Sequence, residues 1–143
     1  MHTNTPASFP SRRVYLLATI MGMASFGVMA AEMNVELSGD QEVPPVTTLA
    51  SGEARFTVGD DMSLSGSVET EGVKGTAAHI HAGAAGENGP VVIPLTMKGD
   101  NGWVVPAKTK LTAEQLTELQ AGGMYVNVHS EAHKDGEIRG QLK

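Results

Sequence analysis

The chain has 143 residues, with ten Lys and Arg against sixteen Asp and Glu, five His and no cysteine. A net charge of −6 argues against nucleic-acid and anionic-membrane partners, which want a basic patch, and leaves cationic partners such as metal ions. Without cysteine, thiolate nucleophiles, zinc–thiolate sites, iron–sulfur clusters and cysteine-ligated blue-copper centres are all excluded.

Residues 1–31 read as an export signal peptide. Ser11-Arg12-Arg13 precedes an uncharged apolar run from Val14 to Ala31 that ends in small residues, which predicts cleavage after Ala30 or Ala31. The run approaches the length of a membrane span, so an uncleaved anchor is the competing reading. Its Ala, Gly and Ser content and the cleavage pattern favour the signal. The paired arginines also resemble a twin-arginine export signal. The expected location is periplasmic or secreted, with no membrane partner once the signal is cleaved.

Residues 32–143 then form one domain of 112 residues, with eight basic against sixteen acidic side chains and a balance of −8. That length buries roughly two-thirds of its unfolded surface, enough for a core without disulfides.

From Met33 the chain reads as short strands separated by turn chemistry. Met33, Val35 and Leu37 alternate with polar residues, and Gly39-Asp40 ends the run. Gln41 to Val46 carries Pro44 and Pro45, which donate no backbone hydrogen bonds, so it is expected as an extended edge or loop. Ala54, Phe56 and Val58 point inward from Gly52–Val58; Met62, Leu64, Gly66 and Val68 do so from the next run. Gly59-Asp60-Asp61 is the expected hairpin turn between them.

Thr76–His81 is the next strand, followed by a loop whose Gly83, Gly86 and Gly89 read as turn residues, since no phosphate-loop context surrounds them. Pro90–Leu95 reads as one compact apolar strand, Gly99–Gly102 as a turn and Trp103–Val105 as a short strand. Thr112 and Gln115 fit a helix capping box, Leu116 and Leu119 give its apolar stripe, and Gly122-Gly123 stops it. Met124–His129 and Gly136–Leu142 close the chain as a hairpin. The fold class is all-β: a Greek-key-like antiparallel β-sandwich of about 7–9 short strands with one short helix.

Candidate chemistry rests on histidines. His79 and His81 are two apart on a strand, so their imidazoles share one face while Ala78 and Ile80 take the other. Tyr125, Asn127 and His129 share a face of a later strand. Neutral imidazoles suit copper, zinc, nickel and iron. The candidate metal set is therefore His79, His81 and His129, with His133 as the weakest member, on a charged loop where a solvated role competes. Three ligands with an open position suit catalysis or labile binding. Met33, Met62, Met97 and Met124 offer thioether sulfur to cuprous copper, although Met62 falls at a core position. Arg139 either pairs with a carboxylate such as Glu137, Glu131 or Glu53 or holds positive charge beside the site. No serine-nucleophile motif, phosphate loop or convincing carboxylate pair is present.

Leu37-Ser38-Gly39-Asp40-Gln41-Glu42-Val43-Pro44-Pro45, Ala77-Ala78-His79-Ile80-His81, Gly89-Pro90-Val91-Val92, Tyr125-Val126-Asn127-Val128-His129 and Gly136-Glu137-Ile138-Arg139-Gly140-Gln141-Leu142 closely resemble the CHRD domain family. That family takes its name from chordin and is widespread in bacterial exported proteins. The resemblance covers about residues 33–143 and implies a β-sandwich; it fixes no activity. A looser resemblance is to copper-zinc superoxide dismutases, which also carry an HxH strand, a later strand histidine and a C-terminal arginine. It implies copper at His79, His81 and His129, with Arg139 as an anion-guiding, catalytic residue. The zinc-loop cluster and disulfide cysteines of those enzymes are missing, which leaves a copper-only site.

Three functions follow as expectations. The leading one is an exported copper-binding protein for sequestration or transfer, with zinc as the alternative ion and no protein partner specified. The second is a copper-only superoxide dismutase-like enzyme. The third is a metal-free structural or interaction module.

Overall fold

A computed structural model describes residues 31–143. The export signal read in residues 1–31 lies outside the described residues, except for Ala31, which opens the first strand.

The first three strands are Ala31–Ser38 (β1), Ser51–Val58 (β2) and Leu64–Glu71 (β3). They pair antiparallel in continuous register, Ala31 opposite Val58 and Val58 opposite Leu64. Gly75–Ala82 (β4), Val91–Pro94 (β5), Thr96–Lys98 (β6) and Gly102–Val104 (β7) follow. A helix, Ala113–Gln120 (α1), leads into Met124–Ser130 (β8) and Ile138–Leu142 (β9).

All nine strands belong to one sheet, in the order β5-β4-β8-β9-β1-β2-β3-β7-β6. The two ends of that order, β5 and β6, are neighbours in the chain with only Leu95 between them. The Leu95 N–H still donates to the Ala78 carbonyl, 2.9 Å away, before the chain crosses to pair with β7. The sheet therefore curls into a nearly closed, barrel-like form, and the expected all-β architecture is present with nine strands and one helix among the described residues. Curling the sheet this way brings its two edge strands, β5 and β6, next to each other at Leu95.

Period-two alternation decides which side chains fill the interior. Leu37, Phe56, Val68, Ile80, Val126 and Ile138 are all 0–1% exposed and belong to one core cluster. The helix starts as its sequence requires: the Gln115 N–H donates to Thr112 Oγ1 at 3.1 Å and the Thr112 N–H to Gln115 Oε1 at 2.9 Å. Leu119 is buried, Leu116 packs partly against the core, and Gly122 follows the helix at φ +73°.

Two details differ from the expectation. Met62 does not face the core: it is 37% exposed at φ 64°, inside a turn closed by the Gly59 N–H to the Ser63 carbonyl at 2.8 Å. The turn is two residues longer than read, so the alternation starts at Leu64. The apolar stretch Pro90–Leu95 also does not stand alone, because the chain continues into β6. Thr96, Met97 and Lys98 are all exposed, so no buried residue marks that strand in the sequence.

Candidate metal centre

Strand alternation builds the site. On β4, Ala78 and Ile80 enter the core and leave His79 and His81 on the opposite face. On β8, Val126 and Val128 do the same for Tyr125, Asn127 and His129. The antiparallel register sets His79 opposite Asn127, His81 opposite Tyr125 and Ala77 opposite His129. His129 is thus the diagonal neighbour of His79, within reach for rings of this size. Arg139 and Gln141 of β9 lie opposite Asn127 and Tyr125 and extend the same face.

The three rings cluster. One nitrogen from each of His79, His81 and His129 lies within 4.8 Å of the others. His79 Nδ1 is 3.0 Å from His129 Nε2, and the His79 and His81 ring centroids are 5.6 Å apart.

Carbonyl partners assign the protons. His81 Nδ1 is 2.9 Å from the Gly89 carbonyl, and His129 Nδ1 is 2.8 Å from the Lys134 carbonyl. A carbonyl oxygen only accepts, so both Nδ1 atoms carry hydrogen and both Nε2 atoms of the neutral rings carry lone pairs. His129 Nε2 accepts from His79 Nδ1, whereas the buried His81 Nε2 makes no well-formed hydrogen bond, with the Asn127 side chain beside it. Burial, reinforced by the neighbouring His129 and His81, holds His79 below the ordinary histidine value; burial does the same for His81, against the opposing hydrogen bonds of the Gly89 carbonyl and the Asn127 side chain. Both effects favour the neutral form that binds metal.

His133 falls outside this cluster. Its backbone closes the β8–β9 turn instead, exchanging hydrogen bonds of 3.2 Å with Ser130. Of the methionines, Met33 and Met124 are core residues, while Met62 and Met97 are exposed in the turn before β3 and on β6. Arg139 shares the histidine face but is 1% exposed. The carboxylates read as its partners are engaged elsewhere or point to solvent: Glu137 accepts from Thr48 Oγ1 at 2.7 Å, and Glu53 lies 3.7 Å from Arg55.

Arg139 instead donates to Ala84 O (3.0 Å), Asn88 Oδ1 (3.3 Å) and Gln141 Oε1 (3.1 Å), and its guanidinium carbon sits 3.4 Å from the Tyr125 ring centroid. The carboxylate whose charge it feels is Glu42, a residue the sequence did not single out. Glu42 is 5% exposed, and burial pushes its carboxyl up to about 7 against the opposing Arg139 charge and an Asn127 hydrogen bond. It lies just after a 3-10 turn, Gly39–Gln41, in a proline-containing loop with no periodicity to mark it. Tyr125 and Gln141 had a legible signal, since alternation puts both beside the histidines.

Fold and site together define an all-β domain with a histidine cluster on the outer face of its sheet. The family model of the CHRD domain matches residues 33–142, and the chain belongs to that family. Comparison with curated proteins and with solved structures gave no match.

Proposed function

We propose that this CHRD-domain protein is an exported copper-binding protein that sequesters or transfers the ion through His79, His81 and His129. One observation carries the reading: His81 Nε2, left with its lone pair by the Gly89 hydrogen bond at Nδ1, is buried without a well-formed hydrogen bond beside two other imidazole nitrogens. An unpaired buried acceptor is costly, and a metal ion satisfies it. A metal bound at about 2.0–2.1 Å holds its nitrogen donors roughly 3–4 Å apart, so only small ring movements separate the observed cluster from a ligand set. His79 frees Nδ1 by carrying its proton on Nε2, with no net proton release. Copper leads zinc because it heads the affinity order for such nitrogen donors. Periplasmic or secreted location rests on the leader.

The purified protein is expected to bind one copper ion per chain, and a His79→Ala/His81→Ala double variant to bind none by elemental analysis and titration calorimetry. Unchanged stoichiometry in the double variant rejects the reading. Elemental analysis of protein isolated from its own compartment decides between copper and zinc.

The dismutase-like alternative is favoured by the open coordination position and by the partial exposure of His79 and His129. Against it, the Arg139 guanidinium is buried and its donors are engaged by the loop after β4. Superoxide turnover by the copper-loaded wild type, lost in Arg139→Ala, supports the enzyme; no turnover leaves the carrier.

A further inference from the structure

His81 is held from three sides. Its Nδ1–H donates to the Gly89 carbonyl at 2.9 Å, and the N–H of that same glycine donates to the Tyr125 hydroxyl at 3.2 Å. The Tyr125 ring in turn stacks on the His81 ring, with centroids 4.8 Å apart and planes 4° from parallel. Imidazole, glycine peptide and phenol thus form a closed circuit.

Arg139 covers the circuit. Its guanidinium lies against the Tyr125 ring, and its donors reach Ala84 and Asn88 in the loop that carries Gly89. Gln141 ties the start of that loop through Gly83, and Asn88 ties it to Val43. The backbone of Gly89 packs so closely on β4 that a Cβ there would collide with the Ala82 carbonyl oxygen, a position only glycine fills. The pairing of β4 with β5 shifts register beside His81, with Val92 of β5 as the extra residue, while the pairing of His81 with Tyr125 on β8 stays in register.

We propose that Tyr125 and Arg139 are positioning residues of the metal centre, which lock the His81 ring in the orientation and tautomer that present Nε2 to His79 and His129. The stack fixes the plane of the imidazole, and the Gly89 carbonyl chooses which nitrogen keeps the proton. Arg139 adds a cation–π contact to the same Tyr125 ring that stacks on His81. Lysine is a poor substitute for arginine here, because a point charge does not stack or reach several acceptors in one plane. The inference rests on the metal reading for its purpose, but the state of the His81 ring is measurable without metal.

The test uses the full chain in four forms: wild type, Tyr125→Leu, Tyr125→Phe and Arg139→Lys. Long-range nitrogen–proton NMR on the metal-free proteins reads the histidine tautomers, and competition with a chelator reads copper affinity. Wild type is expected to show His81 protonated on Nδ1 alone. Tyr125→Leu is expected to mix the tautomers and weaken copper by about 10–100-fold at unchanged stoichiometry, the usual range when an outer-shell partner of a ligand is lost. Arg139→Lys should move both readouts the same way despite keeping its charge. Tyr125→Phe keeps the stacked ring and loses only the hydroxyl, so it stands in if the leucine variant does not fold; it too should weaken copper and mix the tautomers. Folded variants that keep His81 on Nδ1 and bind copper within about 2-fold of wild type overturn the proposal. If wild type binds no copper, the metal reading falls, and the tautomer spectra still decide whether Tyr125 and Arg139 orient the ring.

Discussion

Glu42 is the residue whose ionisation most directly links this site to folding. Burial raises its carboxyl from 4.5 to about 7, so between those values the folded protein keeps a proton that the unfolded chain releases. Its contribution to stability is complete below the unfolded value and is lost as pH rises through about 7. His79 and His81 act in the opposite sense. Their folded values lie below the ordinary 6.5, chiefly through burial, so their contribution is lost as pH falls below that point. A Glu42→Gln variant keeps the shape and removes the ionisation. Its urea midpoint, compared with wild type between about pH 5 and about pH 8, is expected to gain steadily toward the alkaline end. Parallel profiles would show that the carboxyl is not the group being titrated. Nothing in the sequence around Glu42 announces this, because a carboxylate in a proline-containing loop reads as exposed until the tertiary fold lays Asn127 and Arg139 against it.

At the scale of elements, local chemistry was legible wherever an element makes its own contacts. The capping box of α1 is closed within four residues, so Thr112 and Gln115 signal it without reference to the rest of the chain. Thr112→Ala removes the side-chain half of that box and is expected to cost about 1 kcal/mol in urea denaturation. A loss much smaller than that would mean that the packing of Leu116 and Leu119 holds the helix without its cap. Strand faces were equally legible: β2, β4, β8 and β9 place their side chains in alternation as read, although on β8 and β9 both faces are buried. The elements that escaped are those without a buried face or with an unforeseen turn. β6 exposes all three residues, and Met62, at an inward-reading position, is exposed because the turn before β3 extends to Ser63.

For the whole molecule, metal binding and folding are linked, because the three histidines come together only in the folded sheet. Some 48 residues separate His81 from His129, and β4–β8 pairing closes that distance. Copper that binds the folded protein alone stabilises it by about 2.7 kcal/mol at a free concentration 100 times the dissociation constant. Copper is therefore expected to raise the thermal midpoint of wild type and to leave that of His79→Ala/His81→Ala unmoved. A shift of equal size in the double variant would place the ion elsewhere.

The sequence by itself determined the all-β class, the one helix and the shared face of His79 and His81, because each follows from periodicity or capping over a few residues. It also singled out His129, by the alternation of its own strand. Only the tertiary structure decided that β5 and β6 are one crossing segment that nearly closes the sheet, that His133 stands apart, and that Arg139 stacks on Tyr125 beside a buried Glu42. The physical reason is range: spacing along the chain sets which way a side chain points, whereas register between distant strands sets what it meets.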